Sequence, residues 1–406
     1  MSKEIECENV SKVSMGQNLL EWGFLWAIFF APWGPVPRYF GWLLALVGLI
    51  VLKVRGENLN RLSLAPLDGA ILAFFLVWSF VTTVAFQRDP YMFGKGFSLP
   101  LEFAFGVWLA FFLLQEPKIL RRFRTTLWAT AIVTFAWTLL RFALTGDTDG
   151  PFSNANSLGI HAAILFAPCL AYFLDRDMNK LEVAIAFLAL LGAAVMLFLS
   201  FSSGAWVGGA VVLLFSLLFL RRDVRLCWRR VCLLLLCGVS LVGISILVDK
   251  TLVQLLFREL SQLASAGDIE AFSNNRSLLW QAAWNMTQDS PILGHGWKSF
   301  KELFPAFAPE GWKWGAPSAP HNGYLTLLVS GGFPLLLSYL ALQLRMIKSA
   351  YRAFKGGIHR HHAVAALSLV VGQLVYSMGG SHFDARQTVG CIAWALMGLA
   401  LALGRK

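Results

Sequence analysis

Charged side chains are scarce in this chain. They make up 14% of its 406 residues, whereas hydrophobic residues make up 57%, and the mean hydropathy is +0.62. A soluble domain is about a quarter charged and about half apolar. The composition therefore argues against the two or three soluble domains that the length alone would suggest, and it indicates a membrane protein.

Paired cysteines and familiar cofactor motifs are also missing. None of the six cysteines forms a CxxC pair, which argues against a disulfide framework or a structural zinc site. The chain has no Walker loop, no G-x-G-x-x-G after a strand and no HExxH. We therefore expect a reaction that needs neither a metal nor a cofactor.

A continuous basic patch is absent, although the formal net charge is +11. Lys and Arg occur in short clusters between apolar runs and form no uninterrupted basic patch with interleaved aromatic residues, so nucleic acid is not an expected partner. Such clusters are typical of cytoplasmic anchoring at a membrane surface, and membrane lipids are the expected surroundings.

The chain has instead a series of apolar runs. Each is about long enough for a helix to cross a hydrocarbon core of about 30 Å. We expect each to be helical throughout, because no backbone polar group can stay unpaired in lipid. The predicted fold is an all-α polytopic membrane protein with about twelve transmembrane helices and one large outward segment. The runs are 19–31, 39–52, 67–86, 98–114, 124–144, 157–174, 181–201, 204–220, 231–248, 322–344, 363–380 and 389–404.

The basic residues predict the orientation. If the N-terminus is inside, the cytoplasmic loops and termini hold 23 of the 34 Lys and Arg residues, and the long polar segment holds six. This asymmetry predicts that both termini are cytoplasmic, with residues 1–18 a tail and not a signal peptide. The expected layout is nine transmembrane helices in 1–249, an outward segment with short helices in 250–320 and three transmembrane helices in 321–406. The outward loops hold Arg38, Arg88, Lys95, Arg141 and Arg386.

The outward segment has its own local pattern. Periodicity predicts an interfacial helix over 251–264 and a second short helix over 277–286, capped by one of the two asparagines before Arg276. The Pro and Gly residues of 291–296 are expected to end that second helix. We expect 305–320, which is rich in Pro, Gly and Trp, to be an ordered loop.

Two residues near this segment could carry chemistry. His321 lies where the next apolar run begins, and its imidazole could accept a proton from a sugar hydroxyl near neutral pH. The alternative is a histidine that caps a helix or lies in an interfacial belt. Arg276 could contact a pyrophosphate or a carboxylate in a bidentate manner, or simply lipid headgroups. Asn275, Asn322 and Tyr324 adjoin these two and are expected to bind substrate.

Other polar residues are expected on the same face. Asn154 and Asn156 precede a transmembrane helix, as caps or as part of an anion site. Ser203 lies in a tight outward turn, 200–204. His161 lies inside a span, where an ionisable group suggests function, although a hydrogen bond within the bundle would explain it. Arg88, Arg141, Asp384 and Arg386 could bind substrate or form ion pairs among themselves.

Several of these pieces, taken in order, resemble the signature of the O-antigen ligase and polymerase superfamily. The resemblance is carried by about 150–340. The pieces are Asn274-Asn275-Arg276, Trp280, Pro291-Ile292-Leu293-Gly294-His295-Gly296, His321-Asn322-Gly323-Tyr324 and Gly331-Gly332-Phe333-Pro334, with Phe152-Ser153-Asn154-Ala155-Asn156 upstream.

The resemblance implies a glycosyltransferase of the membrane-embedded GT-C type in the bacterial inner membrane. Such a ligase transfers a glycan from undecaprenyl pyrophosphate to the lipid A–core oligosaccharide on the periplasmic face, without a metal or a nucleotide sugar. Carried over by position, Arg276 would bind the donor pyrophosphate and His321 would activate the acceptor hydroxyl, with inversion at the anomeric carbon. Relatives often have Ser-Arg-Gly where this chain has Ser202-Ser203-Gly204, so Arg88, Arg141 or Arg386 could supply a second positive charge.

Other activities remain open. An O-antigen polymerase and a protein O-oligosaccharyltransferase share the signature and differ in the acceptor. The latter often carries a longer soluble C-terminal part, and this chain ends at Lys406 just after the last span, which favours a lipid acceptor. A non-enzymatic transporter would instead have ionisable residues near the bilayer midplane and broken helices, whereas the spans here read as mostly uninterrupted.

Overall fold

The computed structural model describes most of the chain, and the described part is helical, without strands. The side chains of 90–93, 95, 203, 241–242 and 244–248 lie outside the description. The described residues are 14–57, 63–86, 90–147, 149–152, 154–221, 227–248, 254, 257, 261, 276–310, 312, 315–357, 359–380 and 390–404.

A 3₁₀ turn at Ala31–Trp33 joins the first two helices. In chain order they are α1 (Met15–Phe29), α2 (Pro35–Val54), α3 (Pro66–Phe86), α4 (Pro90–Leu113), α5 (Pro117–Thr145), α6 (Ala155–Phe173), α7 (Lys180–Leu199), α8 (Ser203–Phe219), α9 (Trp228–Val248), α10 (Arg276–Asp289), α11 (Phe300–Phe307), α12 (Gly323–Gly356), α13 (Arg360–Tyr376) and α14 (Gly390–Leu403).

The prediction of a helical polytopic membrane protein is confirmed. Each of the twelve apolar runs falls within or largely within one helix, and α10 and α11 belong to the segment 250–320 that was predicted to face outward. Among the described residues, α2 to α7 and α12 are the seven helices long and apolar enough to cross a membrane, α4 from Gly96 onward. The number of crossings therefore stays a prediction.

Three helices form the centre of the bundle. Every residue of α6 from Leu158 to Phe173 is buried, as is every residue of α14. The third is α13, which packs against α6, α8, α12 and α14. Apolar helices that are buried all round are core helices, and the partly exposed helices around them present apolar side chains outward. The end of α13 is thereby held at a fixed position, and the candidate site is built on that end.

A buried ion pair connects two helices of the bundle. The Nε of Arg38 lies 2.7 Å from Oε1 of Glu102 on α4, and Trp42 Nε1 donates to the same oxygen at 2.9 Å. Arg38 was expected in an outward loop, and this is wrong. Pro35 and Pro37 begin α2 early, because proline suits the first turn of a helix, and this brings the guanidinium inside.

The long helix α12 is broken in its N-terminal half. Gly331 and Gly332 have non-helical backbone angles, and Pro334, which follows, has no N–H. The expectation that every apolar run is helical throughout is therefore wrong for this run. The break leaves the carbonyls of Val329 and Ser330 without their usual partners four residues later.

The loop that follows α10 supplies the missing partners. The backbone N–H of His295 donates to the Val329 carbonyl at 2.7 Å, and that of Gly296 to the Ser330 carbonyl at 3.0 Å. In return, the N–H of Phe333 donates to the Pro291 carbonyl at 2.8 Å. On the other side, Trp78 Nε1 of α3 donates to the Gly331 carbonyl at 2.8 Å. The Pro291–Gly296 and Gly331–Pro334 pieces of the signature thus form one structural unit.

Helices α10 and α11 have a small core of their own. Leu279, Ala282, Ala283 and Met286 of α10 pack with Phe300 and Phe304 of α11 and with Val329. The predicted helix over 277–286 is therefore confirmed, although it is longer, and its predicted asparagine cap lies outside the described residues. Of the predicted helix over 251–264, residues 254, 257 and 261 are described, and each is helical.

The expected loop over 305–320 is wrong at its start, because α11 runs to Phe307 and contains Pro305. Phe300 and Phe304 lie one turn apart and are both buried, so the apolar stripe outweighs the helix-breaking effect of one proline. The described residues from Ala308 onward, up to α12, form no further helix, as expected.

Gly294→Ala is expected to destabilise the protein by at least about 2 kcal/mol. Gly294 has φ +63°, and a Cβ there would lie 2.5 Å from the backbone N of Gly331. The measurement is the unfolding free energy in detergent. Gly357→Ala is the matched control, because Gly357 has φ +73° and open space around it, so only backbone strain of about 1 kcal/mol is expected. Equal losses in the two variants would show that the loop does not dock on α12 in this way.

Candidate active site

Three segments meet at the C-terminal end of α13. They are the turn Ser377–Gly380 that follows α13, the first residues of α12, and Arg276 at the start of α10. The N–H of Gly323 donates to the carbonyls of Ser377 at 2.8 Å and Gly380 at 3.1 Å. We refer to Ser377–Gly380 as the 377–380 turn. It brings together residues that lie about a hundred positions apart in the sequence.

Arg276 is anchored to this turn. Its guanidinium donates a hydrogen bond to the carbonyl of Gly379 and is half-buried. The carbonyls that follow the end of a helix carry partial negative charge, so a guanidinium is stabilised beside them. An arginine has five N–H groups, and Gly379 is its only acceptor among the described residues. The remaining donors fit the bidentate contact with an anion that the sequence predicted.

His321 lies beside Arg276 in a strained backbone conformation. Its φ is +54°, a region that residues other than glycine adopt at a cost of about 1–3 kcal/mol and that is frequent at functional sites. Burial and, second, the positive charge of Arg276 lower the pKa of His321 below its ordinary value. Its ring has no hydrogen-bond partner among the described residues. The imidazole is therefore neutral at neutral pH and able to accept a proton.

Asn322 and Tyr324 were predicted to bind substrate, and both make hydrogen bonds within the protein. The Oδ1 of Asn322 accepts from the N–H groups of Tyr324 and Leu325, and its Nδ2 donates to the Met378 carbonyl at 3.0 Å. The hydroxyl of Tyr324 donates to the Leu374 carbonyl on α13 at 2.5 Å. Direct contact of either side chain with a substrate stays a prediction.

The predicted residues before α6 form a separate cluster. Arg141 pairs with Asp147 and donates to the carbonyls of Gly150, at 2.7 Å, and Phe152, at 3.2 Å. It thus shapes the loop before α6, in keeping with ion pairing among loop charges. Asn154 caps α6 by accepting from the Ser157 N–H at 2.8 Å, and Asn156 is exposed in the first turn. Among the described residues, no hydrogen bond joins this cluster to Arg276 or His321.

The other predicted site residues are only partly covered by the structure. Ser203 begins α8, as the tight outward turn predicted, but its side chain lies outside the description, and Ser202 provides the cap by accepting from Ala205. Arg88, Asn275, Asp384 and Arg386 lie outside the described residues.

Two further histidines are buried and pack against aromatic rings. His295 Nε2 lies 2.9 Å from the Met286 carbonyl, and its ring packs between Phe86 and Phe307, so it holds the loop after α10. The expectation that His161 is hydrogen-bonded within the bundle is wrong for the described residues. Neither of its ring nitrogens has a partner there, and the ring packs on Phe152 with centroids 5.1 Å apart.

Sequence reasoning missed the 377–380 turn, although every part of the candidate site depends on it. The only signal was the pair Gly379-Gly380 at the end of an apolar run, and such a pair usually marks no more than a helix end. That its carbonyls would receive Arg276 and Gly323 depends on how α10, α12 and α13 pack, which local pattern does not contain.

Comparison with known families agrees with the signature residues. Residues 186–340 match the O-antigen ligase family model. This stretch contains Arg276, the 291–296 loop, His321 and the break in α12, so the recognition made from these pieces is confirmed. The family works in membrane glycan processing of the ligase and polymerase type. No curated protein matches the chain.

Arg276→Gln is expected to raise the pKa of His321 without restoring its ordinary value, because the charge is removed but the burial, which is the larger cause, remains. The measurement is the imidazole chemical shift in histidine-labelled protein as a function of pH, assigned with His321→Gln. Arg230→Gln is the matched control, since Arg230 likewise donates to carbonyls at the end of another helix, those of Phe173 and Asp175. A pKa of His321 that stays the same or falls in Arg276→Gln contradicts the geometry described above.

Proposed function

We propose that the protein is an O-antigen ligase that transfers a glycan from undecaprenyl pyrophosphate to the lipid A–core oligosaccharide. The reaction takes place on the periplasmic face of the bacterial inner membrane, is independent of metal and inverts the anomeric carbon. The observation that carries the proposal is that Arg276 and His321 lie close together at the C-terminal end of α13, where Arg276 contributes to the lowered pKa of His321. Both residues lie in the segment that matches the O-antigen ligase family.

In the proposed reaction His321 is the general base. Its neutral imidazole accepts the proton of an acceptor hydroxyl, and the oxygen attacks the anomeric carbon of the donor sugar from the side opposite the pyrophosphate. The bond from that carbon to the pyrophosphate oxygen breaks, and undecaprenyl pyrophosphate leaves with the electron pair. Arg276 stabilises the charge that develops on the phosphate, and such electrostatic stabilisation is commonly a large contribution to catalysis.

The positive charge of Arg276 has two effects in the proposed reaction. Arg276 attracts the anionic donor, and it also helps to keep His321 deprotonated. The base form exists above the pKa of His321, so activity is lost as the pH falls through a value below the ordinary histidine pKa of about 6.5. Once a pyrophosphate is bound beside Arg276, its negative charge offsets the guanidinium and makes the imidazole a stronger base.

The positive-inside distribution supports the proposed orientation, with both termini cytoplasmic and the 377–380 turn periplasmic. The GT-C type fold is proposed from the resemblance together with the many membrane-length helices. The source of a second positive charge is also part of the proposal. Arg141 is engaged with its own loop, so Arg88 and Arg386 are the better candidates.

Reconstitution with defined lipids tests the substrates. The purified protein is given undecaprenyl-pyrophosphate-linked glycan with lipid A–core, with a hydroxyl-bearing acceptor protein, or with no second acceptor, each with and without chelator. We expect glycan on lipid A–core, undiminished by chelator. Lengthening of the lipid-linked glycan alone would identify a polymerase, and product on protein would identify a protein O-oligosaccharyltransferase. Turnover that chelator abolishes would overturn the metal-independent mechanism.

His321→Gln is expected to lower kcat at least about 100-fold, because general bases contribute about 10²- to 10⁴-fold. Arg276→Gln is expected to lower kcat and to raise the KM for the donor. Arg276→Lys should retain part of the activity, because lysine keeps the positive charge but cannot make the two parallel hydrogen bonds of a guanidinium. The measurement is the rate of product formation at saturating acceptor.

His359→Gln is the matched control for these variants. His359 also has a left-handed backbone, with φ +51°, and also precedes a bundle helix, but it lies at the other end of α13. It should leave kcat unchanged. Full transfer by both His321→Gln and Arg276→Gln would show that the proposed site is wrong. Movement of lipid-linked glycan across the membrane without transfer would identify a transporter, the alternative that the break in α12 and the buried Arg38–Glu102 pair would fit.

A further inference from the structure

All four carbonyls of the 377–380 turn are hydrogen-bonded to the other two segments of the candidate site. The carbonyls of Ser377 and Gly380 accept from the N–H of Gly323. The two carbonyls between them accept from side chains, that of Met378 from Asn322 and that of Gly379 from Arg276. Asn322 and Arg276 therefore bind adjacent peptide groups of one short turn.

Asn322 does more than cap α12. A cap needs only an acceptor, and Oδ1 provides it by accepting from Tyr324 N at 3.0 Å and Leu325 N at 3.1 Å. Ser, Thr or Asp would provide such an acceptor equally well. The amide Nδ2 has a different task, because it donates to the Met378 carbonyl across the interface between α12 and the end of α13. The hydrogen bond donated by Nδ2 is therefore what distinguishes Asn322 from an ordinary helix cap.

The position of Asn322 links the two proposed catalytic residues. His321 precedes it directly, and the strained backbone of His321 leads into the extended backbone of the cap, with φ −146° at Asn322. Arg276 holds the carbonyl next to the one that Asn322 holds. A displacement of the 377–380 turn from Asn322 therefore moves Arg276 relative to His321.

We propose that Asn322 is a positioning residue, whose Nδ2 holds the 377–380 turn and thereby fixes Arg276 at its working distance from His321. The proposal rests on the proposed function for its catalytic consequence, but the geometric effect does not depend on it. It differs from the role expected from sequence, in which Asn322 contacts substrate. A substrate contact would mainly affect KM, whereas misplacement of the reacting groups mainly affects kcat.

Asn322→Ser separates the two tasks of the side chain. Serine still caps α12, but it is too short to reach the Met378 carbonyl. We expect the pKa of His321 to rise toward its ordinary value as Arg276 moves away, and kcat to fall about tenfold or more, with KM for both lipids changed by less than about a factor of two. Asn179→Ser is the matched control, because Asn179 caps α7 by accepting from the Glu182 N–H and, within the described ranges, makes no such link to another helix.

A second variant reaches the same turn without touching Asn322. A Cβ at Gly380 would collide with the hydroxyl of Tyr376, so Gly380→Ala displaces the turn from its other side. It should change the pKa of His321 and kcat in the same directions as Asn322→Ser. This variant decides the question if Asn322→Ser fails to fold.

The two readouts keep this proposal distinct from the proposed function. The histidine titration needs no substrate. If the wild-type protein transfers no glycan but Asn322→Ser still raises the pKa of His321, the positioning role stands and the proposed function fails. If the wild-type protein is active and Asn322→Ser alters neither the pKa nor kcat, the positioning role is wrong. A rise in KM alone would show direct contact with substrate.

Discussion

Backbone groups that a helix leaves unpaired must find partners within the protein when no water is available, and this requirement shapes the part of the bundle around the break in α12. The break at Gly331–Gly332 removes partners from α12, and the 291–296 loop replaces them with its own N–H groups. Because these bonds run in both directions, the loop and the break can exist only together. Backbone hydrogen bonds thus fix the 291–296 loop to the bundle, independently of side-chain contacts.

The same requirement applies at helix ends, where arginines recur. Arg230, Arg360 and Arg276 each lie in the first turn of one helix and donate to carbonyls at the end of another. A cation is unfavourable at its own helix N-terminus but favourable at the C-terminus of a neighbour, so this arrangement connects helices of the bundle. At Arg276 the arrangement acquires a second consequence, because the charge that satisfies the turn also reduces the proton affinity of His321.

Structural and chemical roles therefore overlap at the candidate site. Asn322 caps a helix and ties two helices together, while its neighbour His321 has a strained backbone and a ring without a hydrogen-bond partner in the described part of the chain. Strain of this kind persists only where the surroundings hold the backbone firmly, and the bonds from the 377–380 turn to Gly323 provide that hold. The C-terminal end of α13 is therefore a rigid support for Arg276 and His321, as the proposed transfer reaction requires.

The sequence by itself determined the class of fold, the positions of the apolar helices, the family signature and the two most prominent candidates, His321 and Arg276. It could do so because apolar run length and charge asymmetry report directly on crossing a membrane, and because those two side chains stand at the edge of an apolar run. Only the tertiary structure decided that α12 is broken, that Arg38 is buried against Glu102, and that the 377–380 turn joins the site. Each of these depends on which distant backbone or charged group supplies the missing partner, and that pairing across the bundle leaves no periodic trace in the chain.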